Sequence, residues 1–219
     1  MKLSAAELVF AIAHEVGNHL GGIRLQAHLL DEDLDARELA GASVLIDELA
    51  GRSGPLLSLL RPLLADVWQE AGGAPLWSTV IAGVERQLQD EGTRGTAVEF
   101  APFVGGDGPA PDHDWLHPLL IALLGATVSH VGRDGRIRVT FESIWASGHD
   151  VLEVADDGPE ERLDDAAAAR GRPLVVALAK ELVGRLGGSV DAARDGGETR
   201  VRLHFPRPGG ASGDASSGA

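Results

Sequence analysis

The sequence predicts an α plus α/β fold, in which a helical hairpin that forms a dimeric four-helix bundle precedes a two-layer α/β sandwich. Residues 1–70 repeat apolar side chains at helical three-four spacing. Residues 74–206 mix helical and alternating strand patterns, which is typical of a sandwich. A Gly/Pro-rich segment, Gly72-Gly73-Ala74-Pro75, separates the two. We expect the Gly/Ser/Ala-rich tail, 207–219, to be disordered.

Two long helices are predicted in the first domain. The first covers 4–31, and its apolar seam consists of Ala6, Val9, Ala13, Val16, Leu20, Ile23, Ala27 and Leu30. A turn at 31–33 leads to a second helix with the seam Leu39, Ala42, Ile46, Leu49, Ser53, Leu56, Leu60 and Leu63. Gly54-Pro55 is expected to interrupt that helix. A lone hairpin would leave its seams exposed, so we expect two copies to pair as a homodimer.

The second domain is predicted to alternate helices and strands. The predicted helices are 76–91, 114–131 and 173–187, and the predicted strands are 97–100, 136–141, 151–154, 189–192 and 199–203. Gly187-Gly188 marks the end of the last helix, since glycine favours the left-handed conformation of a helix C-cap.

The composition narrows the possible functions. Apolar residues make up 44% of the 219 residues, which is enough for a core, and the net charge is −14. Nucleic-acid binders normally carry a basic face, so we expect no nucleic-acid partner. The absence of cysteine excludes disulfides and thiol catalysis. Because no signal-peptide pattern or run of 18 apolar residues is found, we expect a cytoplasmic protein without a membrane partner.

The segment from Ala11 to Leu20 places a His-Glu pair and an asparagine in the middle of the first helix. A neutral imidazole is a nucleophile when one ring nitrogen keeps its lone pair, and a carboxylate nearby helps to remove the proton from the other nitrogen. His14 by itself is also compatible with an ordinary solvated histidine. A zinc site with His19 is excluded, because the spacing of five residues puts the two histidines on different faces of the helix.

The sequence His14-Glu15-Val16-Gly17-Asn18 resembles the H-box of bacterial two-component histidine kinases, and the resemblance covers about residues 4–206. The resemblance implies that His14 accepts a phosphoryl group, that Glu15 is the acid/base that fixes the ring tautomer, and that Asn18 positions water. Leu20 also matches the box, whereas His19 stands where proline is usual.

The second domain is similar in outline to the ATP-binding domain of these kinases but departs from its motifs. The helix from Trp115 to His130 lines up with the N-box, with Ala122 and Ala126 at the positions of two asparagines, one of which binds magnesium in the family. A methyl group cannot replace the oxygen ligand that Mg²⁺ requires. We therefore expect no cofactor and no metal site here.

The glycine motifs of the same domain are also altered. Asp156 and Gly158 line up with the D-x-G-x-G box, and by resemblance Asp156 would bind the adenine amino group, but Glu160 replaces the second glycine. In the next glycine box Pro173 and Val175 stand where glycines are usual. The backbone cradle that glycines provide for phosphates is therefore not expected.

An intact phosphoacceptor motif beside an altered ATP site resembles the dimeric, ChpT-like histidine phosphotransferases. This resemblance implies a phosphorelay intermediate that exchanges phosphoryl groups with the aspartates of response-regulator receiver domains, with Mg²⁺ on the receiver alone. Two alternatives remain open. The chain is a divergent active histidine kinase, supported by Asp156 and Gly158, or a non-catalytic pseudokinase that binds a response regulator. A phosphatase activity through Glu15 and Asn18 is compatible with all three.

A candidate docking surface for the receiver follows His14 along the first helix. It comprises Gly17, Gly21, Gly22 and Leu25. Small side chains at these positions would let a helix of the receiver approach closely. The alternative is that these glycines carry no function, since the chain contains 29 glycines.

Overall fold

The computed structural model describes residues 3–30, 35–65, 75–91, 95–111, 114–144, 148–163 and 170–207. The elements in chain order are α1 (Ala5–Leu29), α2 (Ala36–Ser58), α3 (Leu60–Leu64), α4 (Trp77–Glu91), β1 (Ala97–Phe100), α5 (Leu116–Val131), β2 (Arg136–Ile144), β3 (His149–Asp156), α6 (Gly171–Arg185), β4 (Ser189–Asp195) and β5 (Glu198–Pro206). Every predicted helix and strand of the sandwich has its counterpart. The predicted turn at 31–33, the boundary at 72–74 and the tail at 208–219 lie outside the described residues.

The first two helices form an antiparallel hairpin. Each begins with a capping box, in which Ser4 pairs with Glu7 and Asp35 pairs with Glu38, so the first backbone N–H groups of both helices are satisfied. His19 of α1 contacts Ser53 of α2 across the hairpin. The predicted helical hairpin is therefore present.

The face that α1 buries differs from the predicted seam. The buried residues are Leu8, Ile12, Val16 and His19. Of the predicted seam, Val16 alone is buried, while Ala6, Ala13 and Ala27 are exposed and Leu20 keeps 57% of its surface accessible. The reason is that α1 packs against α3 and α6 as well as α2, which turns another face inward.

The second helix follows its predicted seam more closely but breaks later than predicted. Ala42, Ser53 and Leu56 are buried. Pro55 lies inside α2, and the helix continues to Ser58 before a break at Leu59. Proline removes one backbone donor and one helical hydrogen bond, and here the helix tolerates that loss.

A five-stranded mixed sheet forms one layer of the sandwich. The strand order is β1-β2-β3-β5-β4, with β1 and β2 parallel and all other neighbours antiparallel. Alternate residues of β2 and β5 are buried, as expected for a sheet with one face covered by helices. The predicted fold class, a helical segment followed by an α/β sandwich, is confirmed.

The hairpin and the sandwich share one hydrophobic core. Leu8, Ile12 and Val16 of α1 belong to the same cluster of buried side chains as Leu178 and Leu182 of α6. A second link is polar. The guanidinium of Arg185 on α6 donates hydrogen bonds to the carbonyl oxygens of Pro62 (3.0 Å) and Leu63 (3.2 Å) at the end of α3. Within the described ranges, no helix has the length and apolar character needed to cross a membrane.

Candidate functional site

His14 lies in the middle of α1 and its side chain is exposed. Asn18, one turn later, is also exposed, and its Nδ2 lies 3.2 Å from Nδ1 of His14. An amide nitrogen can only donate, so Nδ1 accepts this hydrogen bond and the proton of the neutral ring resides on Nε2. The structure thus brings together two of the three predicted catalytic residues, His14 and Asn18. The contact with Asn18 involves Nδ1 of His14 and not Nε2.

Glu15, the third predicted catalytic residue, contacts the first residue of α6. Its Oε1 accepts a hydrogen bond of 3.0 Å from the backbone N–H of Gly171, the first residue of α6. The side chain of Glu15 is only 14% accessible. Negative charge is favoured at a helix N-terminus, where backbone N–H groups are unpaired and the helix dipole is positive. Among the hydrogen bonds of the described residues, none joins Glu15 to His14.

His19 occupies a buried position between the two helices of the hairpin. Its Nδ1 lies 3.0 Å from Oγ of Ser53, and that hydroxyl donates its single proton to the carbonyl of Leu49 at 2.7 Å. Nδ1 of His19 is therefore the donor. Burial lowers the pKa of His19, although the nearby Glu15 partly opposes this shift and Arg52 adds to it. His19 is accordingly held neutral, and its Nε2 lies 3.8 Å from Oε1 of Glu15.

A cavity of about 480 Å³ lies between the hairpin and the helices of the sandwich. Its apolar wall includes Leu56, Leu88, Ile121, Val128 and Val175. Its charged lining residues are Glu15, Asp47, Glu48, Arg52 and Asp90, so carboxylates outnumber the one guanidinium. Burial lowers the pKa of that guanidinium, Arg52, and the charge of Glu15 opposes the shift.

The cavity is also where the two altered N-box positions point. Ala122 and Ala126 line it with methyl groups, which provide no ligand for a metal ion. In the described part of the chain, no cluster of three or more His, Cys, Asp or Glu residues has the geometry of a metal site. The carboxylates of the lining repel phosphate groups, and the methyl groups provide no ligand for a Mg²⁺ ion that could offset this repulsion.

Asp156, which the resemblance assigns to adenine recognition, is already paired within the protein. Its Oδ2 contacts the guanidinium of Arg172, and its Oδ1 accepts a hydrogen bond of 3.0 Å from the backbone N–H of Gly158. The Asp156 side chain is 0% accessible and that of Arg172 is 1% accessible. The carboxylate therefore has no open side from which a base could approach it.

The segment that follows Asp156 is held by two further side chains. His130 at the end of α5 donates from Nε2 to the carbonyl of Pro159 at 2.9 Å. Arg194 of β4 donates to the carbonyl of Gly158 at 3.1 Å. His130 thus has a structural contact.

The predicted docking residues do not share one environment. Gly17 and Gly21 are exposed, with open space where a Cβ would lie, and Leu25 is 59% accessible. Gly22 instead faces α2, and a Cβ there would come within 2.7 Å of Leu49. The close approach of the two helices accounts for Gly22, whereas docking at the other three positions stays a prediction.

Three residues of this region have no role predicted from the sequence: Arg52, Gly171 and Arg172. The signal for Arg172 was available, since an arginine in the first turn of an apolar helix needs a buried anion as its partner. For Gly171 no local signal existed, because its contact with Glu15 joins residues 156 positions apart.

Comparison with known proteins bears on both parts of the chain. Residues 111–209, just under half of the sequence, match the family described as histidine kinase-, DNA gyrase B- and HSP90-like ATPase. No curated protein sequence matches the chain.

Solved structures of histidine kinases are similar over nearly all of the chain. For histidine kinase AdeS of Acinetobacter baumannii the TM-score is 0.60 at 15% identity, covering 88% of this chain and 97% of that one. For histidine kinase ThkA, in complex with the response regulator protein TrrA, the TM-score is 0.59 at 16% identity, with 90% and 60% covered. For full-length ShkA in complex with AMPPNP the values are 0.55, 18%, 93% and 46%. At these identities the likeness to the solved structures concerns the fold.

The Asp156–Arg172 pair leads to a prediction for stability. Arg172→Met leaves the carboxylate of Asp156 buried without its cation, so we expect the free energy of unfolding to fall by about 3–5 kcal/mol in urea denaturation. The double variant Asp156→Asn/Arg172→Met, in which no charge is left unpaired, should regain a large part of that loss. Arg138→Met, which breaks an exposed pair with Glu198, is the control, with a loss below about 1 kcal/mol. A similar loss in both arginine variants would contradict the buried pair.

The lowered pKa of His19 predicts a pH dependence of stability. Below the ordinary histidine value of 6.5, His19 of the unfolded chain binds a proton that His19 of the folded protein does not, so lowering the pH favours unfolding. His19→Asn keeps a donor toward Ser53 and does not titrate. Urea denaturation from about pH 8 to about pH 5 should therefore show a steeper loss of stability in the wild type than in this variant. His28→Asn, at an exposed position of α1, serves as the control. Parallel curves for wild type and His19→Asn would refute the prediction.

Proposed function

We propose that this protein is a histidine phosphotransferase of a two-component phosphorelay, which transfers phosphoryl groups between receiver-domain aspartates through His14 without using ATP. The observation that carries the proposal is a contrast within one chain. The exposed His14 is held by Asn18, whereas Asp156 of the sandwich is sealed by Arg172.

The phosphoacceptor side is supported by the geometry of α1. His14 projects from the middle of a helix whose neighbouring positions Gly17 and Gly21 carry no side chain beyond hydrogen. A receiver domain can therefore approach the ring from the side of Gly17 and Gly21 without meeting bulky groups. In the aspartate-to-histidine step the P–O bond to the receiver's carboxylate breaks, a P–N bond forms on the imidazole, and the second ring nitrogen gives up its proton.

The absence of an ATP-dependent step is supported by three features of the sandwich. Arg172 neutralises Asp156, Ala122 and Ala126 provide no magnesium ligand, and carboxylates predominate among the charged groups of the adjoining cavity. We accordingly propose no nucleotide and no metal cofactor for this chain, with Mg²⁺ bound by the receiver alone.

The divergent-kinase alternative is favoured by the family match and by Gly158, whose N–H still binds Asp156. The kinase alternative requires Arg172 to leave Asp156, which would leave a buried charge without its partner. The alternative of a non-catalytic binding module has the same altered motifs in its favour, but it gives no role to the contact between Asn18 and His14.

Response-regulator receiver domains are the partners that this function requires, and the structural likeness to ThkA, crystallised with a response regulator, agrees with two-component signalling.

We also propose a homodimer and a cytoplasmic location. The dimer is supported by an apolar stripe on α1, in which Ala13, Leu20 and Ala27 are exposed and follow one another at intervals of two turns.

Phosphotransfer tests the proposal directly. Purified protein is incubated with labelled phospho-receivers in one series and with labelled Mg-ATP in another. We expect label on the protein from receivers alone, lost in His14→Ala and retained in His28→Ala, which removes an exposed histidine from the same helix. Label from ATP that depends on His14 would favour the kinase alternative. No label from receivers that are shown to be competent would favour the binding module.

The dimer is tested by light scattering coupled to size-exclusion chromatography. Leu20→Glu places a charge in the exposed stripe of α1, and we expect it to convert a dimer into a monomer because burying an unpaired carboxylate is unfavourable. Val104→Glu, at an equally exposed apolar residue of the sandwich (59% accessible), should leave the dimer intact. A wild-type protein with the mass of one chain would exclude the dimer.

A further inference from the structure

We propose that the N-terminus of α6 is a latch that holds Glu15 away from His14, and that this keeps His14 in the form with its proton on Nε2 until Glu15 is released. The inference rests on the proposed function and adds a role for the sandwich. The sandwich would then act as a positioning element for the phosphotransfer step, with Gly171 as the positioning residue.

The contact with Asn18 selects one tautomer of His14. Because Nδ1 accepts a hydrogen bond from Asn18 at 3.2 Å, the proton of the neutral ring lies on the exposed Nε2. A nitrogen that carries a proton has no lone pair available for phosphorus. The ring becomes nucleophilic at Nε2 only when Nε2 gives its proton to solvent and Nδ1 takes one up.

Glu15 is the group that could stabilise the reactive tautomer of His14, which carries its proton on Nδ1. A proton on Nδ1 is stabilised by an anionic acceptor nearby, and the adjacent carboxylate of Glu15 is suited to this by charge and by position in the sequence. In the structure that carboxylate is instead bound to the N–H of Gly171, 3.0 Å away. Oε1 of Glu15 is therefore not available to His14 while it binds Gly171, and the half-buried side chain has to turn outward before either of its oxygens reaches the exposed ring.

The contact between Glu15 and Gly171 is stabilised by the backbone conformation of Gly171, by the dipole of α6 and by the packing of α1 against α6. Gly171 has a φ of +57°, a conformation that residues with a Cβ rarely adopt, and this backbone turn begins α6. The carboxylate lies at the positive end of a helix of 15 residues, where an anion is favoured. Since α1 and α6 share one hydrophobic core, the distance between Glu15 and Gly171 is fixed by packing.

The balanced reaction follows from these contacts. When Glu15 leaves Gly171 and accepts from Nδ1–H, the lone pair of Nε2 attacks the phosphorus of the receiver's aspartyl phosphate. The P–O bond breaks and the receiver's carboxylate departs as an anion. The proton of Nδ1 passes to Glu15 as the new P–N bond forms. Return of the phosphoryl group to a second receiver reverses these steps.

Two substitutions separate the reach of Glu15 from its basicity. Glu15→Gln retains an oxygen that can accept from Gly171 but cannot take a proton. Glu15→Asp retains a carboxylate but is one methylene too short to reach Gly171. Glu142→Asp, at an exposed position of β2, is the control for a shortened acidic side chain.

The measurement is NMR of the full-length, unphosphorylated protein, which reads the latch without any phosphotransfer. In Glu15→Asp we expect exchange of the Gly171 amide proton to rise about tenfold, the loss of one hydrogen bond. In the same variant the ¹⁵N shifts of His14 should move toward a protonated Nδ1. Glu15→Gln and Glu142→Asp should match the wild type in Gly171 exchange.

The two proposals fail in different ways. If Gly171 exchange and the His14 tautomer are the same in wild type, Glu15→Asp and Glu15→Gln, the latch is refuted, even if receivers phosphorylate His14. If exchange and tautomer change as expected but no receiver labels His14, the latch is upheld as a contact while the phosphotransferase function is refuted.

Discussion

The packing of the helical hairpin against α6 is the constraint on which the rest of this structure depends. Leu8, Ile12 and Val16 are drawn into a core that continues through Leu178 and Leu182. Because one helical face can be buried against only one set of neighbours, Ala13, Leu20 and Ala27 of α1 stay exposed. The same packing fixes the height of α1 relative to α6 and so brings Glu15 within 3.0 Å of Gly171.

The buried pair of Asp156 and Arg172 shows how a residue of a predicted binding motif takes part in a structural contact. Asp156 carries the side chain expected for adenine recognition, but the guanidinium of Arg172 occupies its free oxygen in a region closed to solvent. A buried pair of this kind resists separation, since either partner alone would be a desolvated charge. The sandwich has the fold of an ATPase-like domain, and within it the carboxylate of Asp156 is buried in a pair with Arg172.

His19 shows a related change in the hairpin. Proline at this position would provide no side-chain donor, whereas the imidazole joins α1 to Ser53 and stands 3.8 Å from Glu15. The residues around His14 thereby divide into two groups. Asn18 remains beside the ring on the exposed face, while Glu15 and His19 belong to the interior between the hairpin and the sandwich.

The sequence by itself determined the secondary-structure elements of the protein. Apolar spacing, capping residues and glycine stops depend on neighbours a few positions away, so the helices, the strands and the fold class could be predicted, as could the place of His14 on α1 and its proximity to Asn18 one turn later. Only the tertiary structure decided which face α1 buries, that Gly22 serves helix packing against Leu49, and that Arg172 pairs with Asp156. It also decided that Glu15 bonds to Gly171 rather than to His14, because that contact joins residues 156 positions apart, and such distances are set by the packing of whole helices and not by local pattern.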